Sequence, residues 1–355
     1  MRPVVRHSLM LGLCVLFTAA VYQRVSATQD TMPERLSDTG ILGVQGSTGS
    51  KVQGSFSPQY PLWSDGAAKR RWVYLPPGTT IDVSDPDRWE FPEGTRFWKE
   101  FAVGGRKVET RMLWKRNGEW QFATYAWNDA QTDATLVPET GLLTTVEVAP
   151  GKRHRIPGTT ECRACHVSDR VEILGFNALQ LSTLRDPNAL HAEPLAPAMI
   201  TLRTLNEDKR LSPARPEWVS HPPRIAAPDR TTRTVFGYLS TNCGTCHNSL
   251  SDLAMLDLDL KATTLRPAAP CPTSLRTTID RPGRWEIASA PAGTSRRLAP
   301  GQPELSAILA RMRSRRPTSQ MPPLGTVVVD DAAVALMTKW IEAKPAVWEA
   351  RRSGC

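Results

Sequence analysis

Two short segments hold most of the chemistry that can be read from this chain of 355 residues. They are Cys162-Arg163-Ala164-Cys165-His166 and Cys243-Gly244-Thr245-Cys246-His247. On a helical turn, thiols at i and i+3 face one way, and a histidine at i+4 shares that face. Two such thiols can add to the two vinyl groups at one porphyrin edge, leaving the imidazole to reach the iron. Cys-x-x-Cys-His is accordingly the attachment sequence of a c-type haem. The spacing predicts two covalently bound haems c. Cys162, Cys165, Cys243 and Cys246 are the expected thioether anchors, and His166 and His247 the expected proximal iron ligands. Zinc is a weaker reading, because paired Cys-x-x-Cys zinc sites usually lie closer together and lack a His after each pair. A redox dithiol is weaker still, since neither pair sits in a thioredoxin-like βαβ context.

The sixth ligand decides what each iron can do. For the second motif the candidate is Met321, in Gln320-Met321-Pro322-Pro323-Leu324-Gly325. Its two prolines stiffen the loop that would present the thioether. Met/His ligation raises a haem's potential and closes the iron to substrate, which suits electron transfer. For the first motif, Met199 and His191 both follow at workable separations, and the sequence does not choose between them. Without either, the first iron would be five-coordinate and open to peroxide or another small molecule.

These sites need an oxidising or exported setting and a scaffold. Arg2 and Arg6 precede an apolar run, Leu9 to Val21, followed by Val25-Ser26-Ala27. That order reads as a secretory signal peptide over residues 1–27, and the run is short for a permanent membrane anchor. The net charge of +9 includes Arg2, Arg6 and Arg24, so the processed chain would carry +6. A mildly basic surface suits an acidic redox protein or a membrane electron-transport component as partner. No basic tract interleaved with aromatics points to nucleic acid. Of the seven cysteines, Cys14 falls in the leader and four in the motifs. Cys271 and Cys355 remain as either a disulfide or two thiols.

Residues 28–55 are rich in Gly, Ser and Thr and read as a flexible leader. Residues 56–154 contain seven of the eleven tryptophans, and strand-like runs there alternate with Pro/Gly turns. Asn117-Gly118 favours a two-residue type I′ turn, which pairs Arg116 with Glu119 and Leu113 with Phe122. Apolar residues on both faces predict a covered domain of about 100 residues, β-sandwich-like or barrel-like. Its aromatics are expected mainly as core, with a ligand-binding face as the alternative. Asp65, Lys69, Arg70, Arg71, Glu109 and Arg111 form either a polar site or ordinary ion pairs.

Residues 155–228 are assigned to the first haem-binding unit with a proline-rich linker, and 229–355 to the second. Leu305, Ile308, Leu309 and Met312 after Pro303 predict one helix. Val334, Met337 and Ile341 after the Asp330 cap predict another. The expected fold class is therefore multidomain α+β, a β-sandwich-like N-terminal domain followed by two mainly α haem-binding units.

The segments Thr241–His247, Gly301–Ser306, Met321–Leu324 and Lys339–Ile341 resemble a class I cytochrome c domain. The resemblance implies an all-α domain around the second haem. It departs from that pattern in the long stretch between His247 and Met321. Tyr60–Ala67, Trp89–Pro92, Gly94–Lys99, Glu109–Arg111, Tyr125–Asn128 and Leu174–Phe176 are similar to a family of exported bacterial dihaem c-type cytochromes. That likeness spans roughly residues 41–345 and implies the architecture without a substrate. The expected function is periplasmic electron transfer between redox partners. The alternative is a dihaem peroxidase-like enzyme with the first haem as its catalytic centre.

Overall fold

The computed structural model describes residues 31–42, 53–167, 173–262, 273–345 and 348. The expected signal peptide, residues 28–30 and 43–52 of the leader, and Cys14, Cys271 and Cys355 lie outside the described residues.

Ten strands form among the described residues: β1 (Gln53–Ser55), β2 (Ala68–Tyr74), β3 (Ile81–Asp82), β4 (Arg96–Val103), β5 (Arg106–Arg116), β6 (Glu119–Trp127), β7 (Ala134–Leu136), β8 (Leu142–Ala149), β9 (Lys152–Ile156) and β10 (Leu211–Ser212). Six of them make one antiparallel sheet in the order β1-β2-β4-β5-β6-β7. The turn at Asn117-Gly118 closes β5 on β6 with Arg116 opposite Glu119 and Leu113 opposite Phe122. Both turn residues have positive φ, 56° and 79°, as a type I′ turn requires.

Each face of the sheet is covered by a different part of the chain. Successive strand residues point to opposite sides, so Phe97 and Trp98 enter different cores. On one side Phe97 and Phe56 meet Phe176, with ring centroids 5.2 and 4.8 Å away. Ile173, Leu181, Leu202 and Trp218 complete that layer. On the other side Leu36 and Ile41 pack on Trp98, Met112 and Tyr125. The tryptophans of this region are largely core: Trp72, Trp89, Trp98 and Trp120 are all buried.

The helices are α1 (Thr159–His166), α2 (Leu202–Glu207), α3 (Glu217–Ser220), α4 (Arg230–Asn242), α5 (Thr273–Thr278), α6 (Ala307–Arg313) and α7 (Asp331–Glu342). Among the described residues only α1, α4, α6 and α7 reach seven residues. This overturns the expected fold class. The described chain is sheet-rich, its β region is a six-stranded antiparallel sheet with two separate two-stranded pairs, β3–β10 and β8–β9, instead of a sandwich, and neither of the expected haem-binding units is mainly α. The physical reason lies in what covers the sheet. Residues 173–218 are proline-rich and mostly turn, and they bury Phe176 and Leu181 against strands instead of against helices of their own. Hydrophobic periodicity cannot reveal that role, because irregular segments have none.

The two helices read from periodicity do form. A 3₁₀ turn at Pro303–Leu305 leads into α6, where Leu309 and Met312 are buried. The Asp330 carboxylate accepts a hydrogen bond from Ala333 N at 3.1 Å and starts α7. Met337, Trp340 and Ile341 face its core. Trp340 Nε1 donates to Thr232 Oγ1 at 3.0 Å, tying α7 to α4. Tyr60 joins this core from the N-terminal side. A Cβ on Gly237 would lie 2.1 Å from its ring, so α4 approaches Tyr60 only because residue 237 has no side chain.

Candidate functional site

The first Cys-x-x-Cys-His motif occupies α1, which packs on β6. The helix begins where the chain passes so close to Glu139 that a Cβ on Gly158 would sit 1.8 Å from its carbonyl oxygen. Glu161 turns back to accept from Gly158 N at 3.0 Å, and Arg155 braces the same carboxylate at 3.2 Å. An acidic side chain in the first turn also suits the helix dipole. Thr124 Oγ1 lies 3.8 Å from Cys162 Sγ, and the His166 ring lies 5.5 Å from that of Phe122. Cys162, Cys165 and His166 thus share one cavity wall, with the sheet as the facing wall.

The second motif follows α4 directly. The cap at Cys243 closes the helix, and His247 N donates to Cys243 O at 2.8 Å. Cys243, Cys246 and His247 line a second cavity of mainly apolar character, together with Leu258, Ile308 and Met312. Met321 lines the same cavity. Its loop is held from several directions. Met321 N donates to Arg311 O at 3.0 Å, and the Arg311 guanidinium donates to Ser319 O at 3.0 Å. Asp65 accepts from Val327 N and Val328 N at 3.0 and 2.9 Å.

The residues present fit a covalently attached haem at each site. None of the four motif cysteines is tied up in a disulfide. Burial raises the pKa of Cys162 and Cys165 and pushes Cys243 up to about 12. Reactive dithiols need the opposite shift. The two cysteine pairs line separate cavities and so do not converge into a four-ligand zinc site. Burial first, then Arg311 and Arg297, lowers the pKa of His247 and favours the neutral imidazole that iron ligation requires. Its Nδ1 is buried without a hydrogen-bond partner.

The candidates for the sixth ligand of the first haem are elsewhere. His191 Nε2 lies 2.9 Å from Asp330 Oδ2, and its ring stacks obliquely on Trp63 with centroids 4.6 Å apart. Trp63 and Asp330 both line the second cavity. Met199 Sδ accepts from Ala196 N at 3.5 Å and borders a recess with Lys69 and Glu193. Neither His191 nor Met199 lines the first cavity.

The polar residues noted beside the tryptophans divide. Arg70 pairs with Glu100 at 2.6 Å. Asp65 serves the Met321 loop. Arg71 and Arg111 line the first cavity, where Glu109 backs Arg111 at 2.7 Å. Sequence reasoning missed Lys99, which stands with them. Its signal was available: in Phe97-Trp98-Lys99-Glu100-Phe101, a lysine takes a position where strand alternation puts Phe97 and Phe101 inward.

Comparisons with protein-family models, with curated proteins and with solved structures find no match for this chain.

Proposed function

We propose that this protein is an exported c-type cytochrome with two covalent haems that passes single electrons between redox partners in the periplasm. The observation that carries the reading is the junction of the two sites. Thr245, inside the second Cys-x-x-Cys-His motif, lines the cavity of the first motif, while its neighbours Cys243 and Cys246 line the second cavity. Two redox groups anchored there would be neighbours, as a relay needs. A c-type haem supplies a one-electron couple whose potential its ligands tune. The chain's contributions are the four thiol anchors, the two imidazoles and the braced Met321 thioether.

Absorption and magnetic-resonance spectra of the purified protein test this reading. Two haems c per chain are expected, at least one of them low-spin with His/Met ligation. A chain that binds one haem or none would overturn it.

A second reading has one observation in its favour. Neither His191 nor Met199 lines the first cavity, and Met112, which does, packs into the core on the other face of the sheet, so among the described residues no thioether or imidazole is identified opposite His166. A peroxidase-like enzyme with the first haem as catalytic centre would need such an opening. Peroxide turnover with a high-spin ferric signal would favour it over simple transfer.

A further inference from the structure

Three basic residues stand directly opposite one another on adjacent strands. Arg71 of β2 pairs with Lys99 of β4, and Lys99 pairs with Arg111 of β5. The row continues to Thr124 of β6, the residue beside Cys162. Like charges directly opposite destabilise a sheet. Arg71 is also withdrawn from water, only 6 % exposed, while Lys99 and Arg111 are half-buried. All three line the cavity of the first motif.

Their neutralisation is incomplete. Glu193 accepts from Arg71 at 2.7 Å, and the fully buried Glu109 accepts from Arg111 at 2.7 Å, with His154 at 3.2 Å on the same oxygen. Lys99 has no hydrogen bond or ion pair among the described residues, and its Nζ rests 4.9 Å from the Phe101 ring. Arg71 Nη2 and Arg111 Nε are buried with no partner. Lys69 adds a further cation nearby, while the cavity's own acids are spoken for or distant in role: Glu161 is held by Arg155, and Asp87 neighbours Lys261. Of the three, Arg71 and Arg111 are each in an ion pair, with Glu193 and Glu109, and Lys99 is in none, with unused guanidinium donors beside it. Planar guanidinium forks match a carboxylate or related oxyanion.

We infer that Arg71, Lys99 and Arg111 form an oxyanion-binding site in the wall of the first cavity, suited to a carboxylate. Its ligand has two possible sources of the same chemistry: a propionate of the haem attached at Cys162 and Cys165, or a free anion entering the cavity. The inference rests on the dihaem reading only in the first case. Without an anion, the alternative relief is loss of the Lys99 proton. Burial first, then Arg71, Lys69 and Arg111, already drives its pKa well below the ordinary lysine value.

The test uses the full chain with acetate as probe, followed by calorimetry at constant ionic strength. The Cys162→Ala/Cys165→Ala protein, which keeps the second motif, is expected to bind acetate. Adding Lys99→Met should weaken that binding at least tenfold, and Lys99→Arg should restore most of it. If the protein carrying both haems also binds acetate, the ligand is a free anion. If it does not, and Lys99→Met in that protein lowers the potential of the first haem, the ligand is a propionate. No acetate binding by either protein, together with an unchanged potential in Lys99→Met, would overturn the inference. Haem count on the unsubstituted protein is read separately, so failure of the dihaem reading is not confused with failure of the anion site.

Discussion

The Asp65 carboxylate accepts hydrogen bonds from the backbone N–H of Val327 at 3.0 and 3.1 Å, across 262 positions of sequence. Val328 N adds a third at 2.9 Å. A residue of the tryptophan-rich segment therefore holds the loop that presents Met321. Asp65 itself has φ of +51°, so the turn that aims its carboxylate is built into the backbone.

Replacing Asp65 by Ala removes these bonds and leaves two amides to water. Hydrogen bonds to a charged group contribute about 1.5–3 kcal/mol each. A loss of roughly 2–4 kcal/mol is expected in denaturant unfolding, allowing for rehydration of the amides. Asp65→Asn, which keeps an acceptor oxygen, should lose less. If Met321 binds iron, D65A also makes the reduced second haem bind carbon monoxide more readily.

On the proposed dihaem reading, Met321→Ala should open the second iron, lower its potential and abolish the spectral signature of thioether ligation. His191→Ala should disturb only the second site, through Asp330 and Trp63. Met199→Ala should leave both haem spectra unchanged. A first-haem spectrum altered by either H191A or M199A would contradict the placement of these side chains.

Gly237→Ala drives a methyl into the Tyr60 ring, at an initial separation of 2.1 Å. Overpacking of this kind costs about 1–3 kcal/mol. Thermal unfolding should show the loss. Adding Tyr60→Leu should recover part of it, because the clash is with that one ring.

Burial pushes the Asp87 carboxyl up to about 6, with Asp85 adding to the shift and Lys261 opposing it. A folded-state pKa above the unfolded value means that the native state holds the proton more tightly. Stability contributed by this group is complete below the unfolded value near 4 and is lost as pH rises through about 6. Asp87→Asn should therefore gain stability relative to the unsubstituted protein from about pH 4 upward, levelling off near pH 7. Paired urea titrations across that range measure the difference. A flat difference would show that the Asp87 proton is unperturbed.

The β5–β6 turn and the stripes of α6 and α7 were legible in the sequence, as was the grouping of each thiol pair with its imidazole, because each depends on residues close together in the chain. A thiol pair with a following imidazole, Asn-Gly at a turn, and apolar residues every three or four positions all report local geometry. The arrangement of the rest depends on which distant segments meet. Residues 173–218 have no periodicity to show that they cover a sheet, so the expectation of mainly α units failed there. His191 and Met199 had suitable separations from His166, but separation along the chain does not say which cavity a side chain enters. Arg71, Lys99 and Arg111 are ordinary basic residues on three strands until cross-strand register sets them side by side. The local sequence thus determined each thiol–imidazole cluster. Only the tertiary structure decided which charges, loops and partners surround it, because those neighbours are chosen by burial and strand pairing across hundreds of residues.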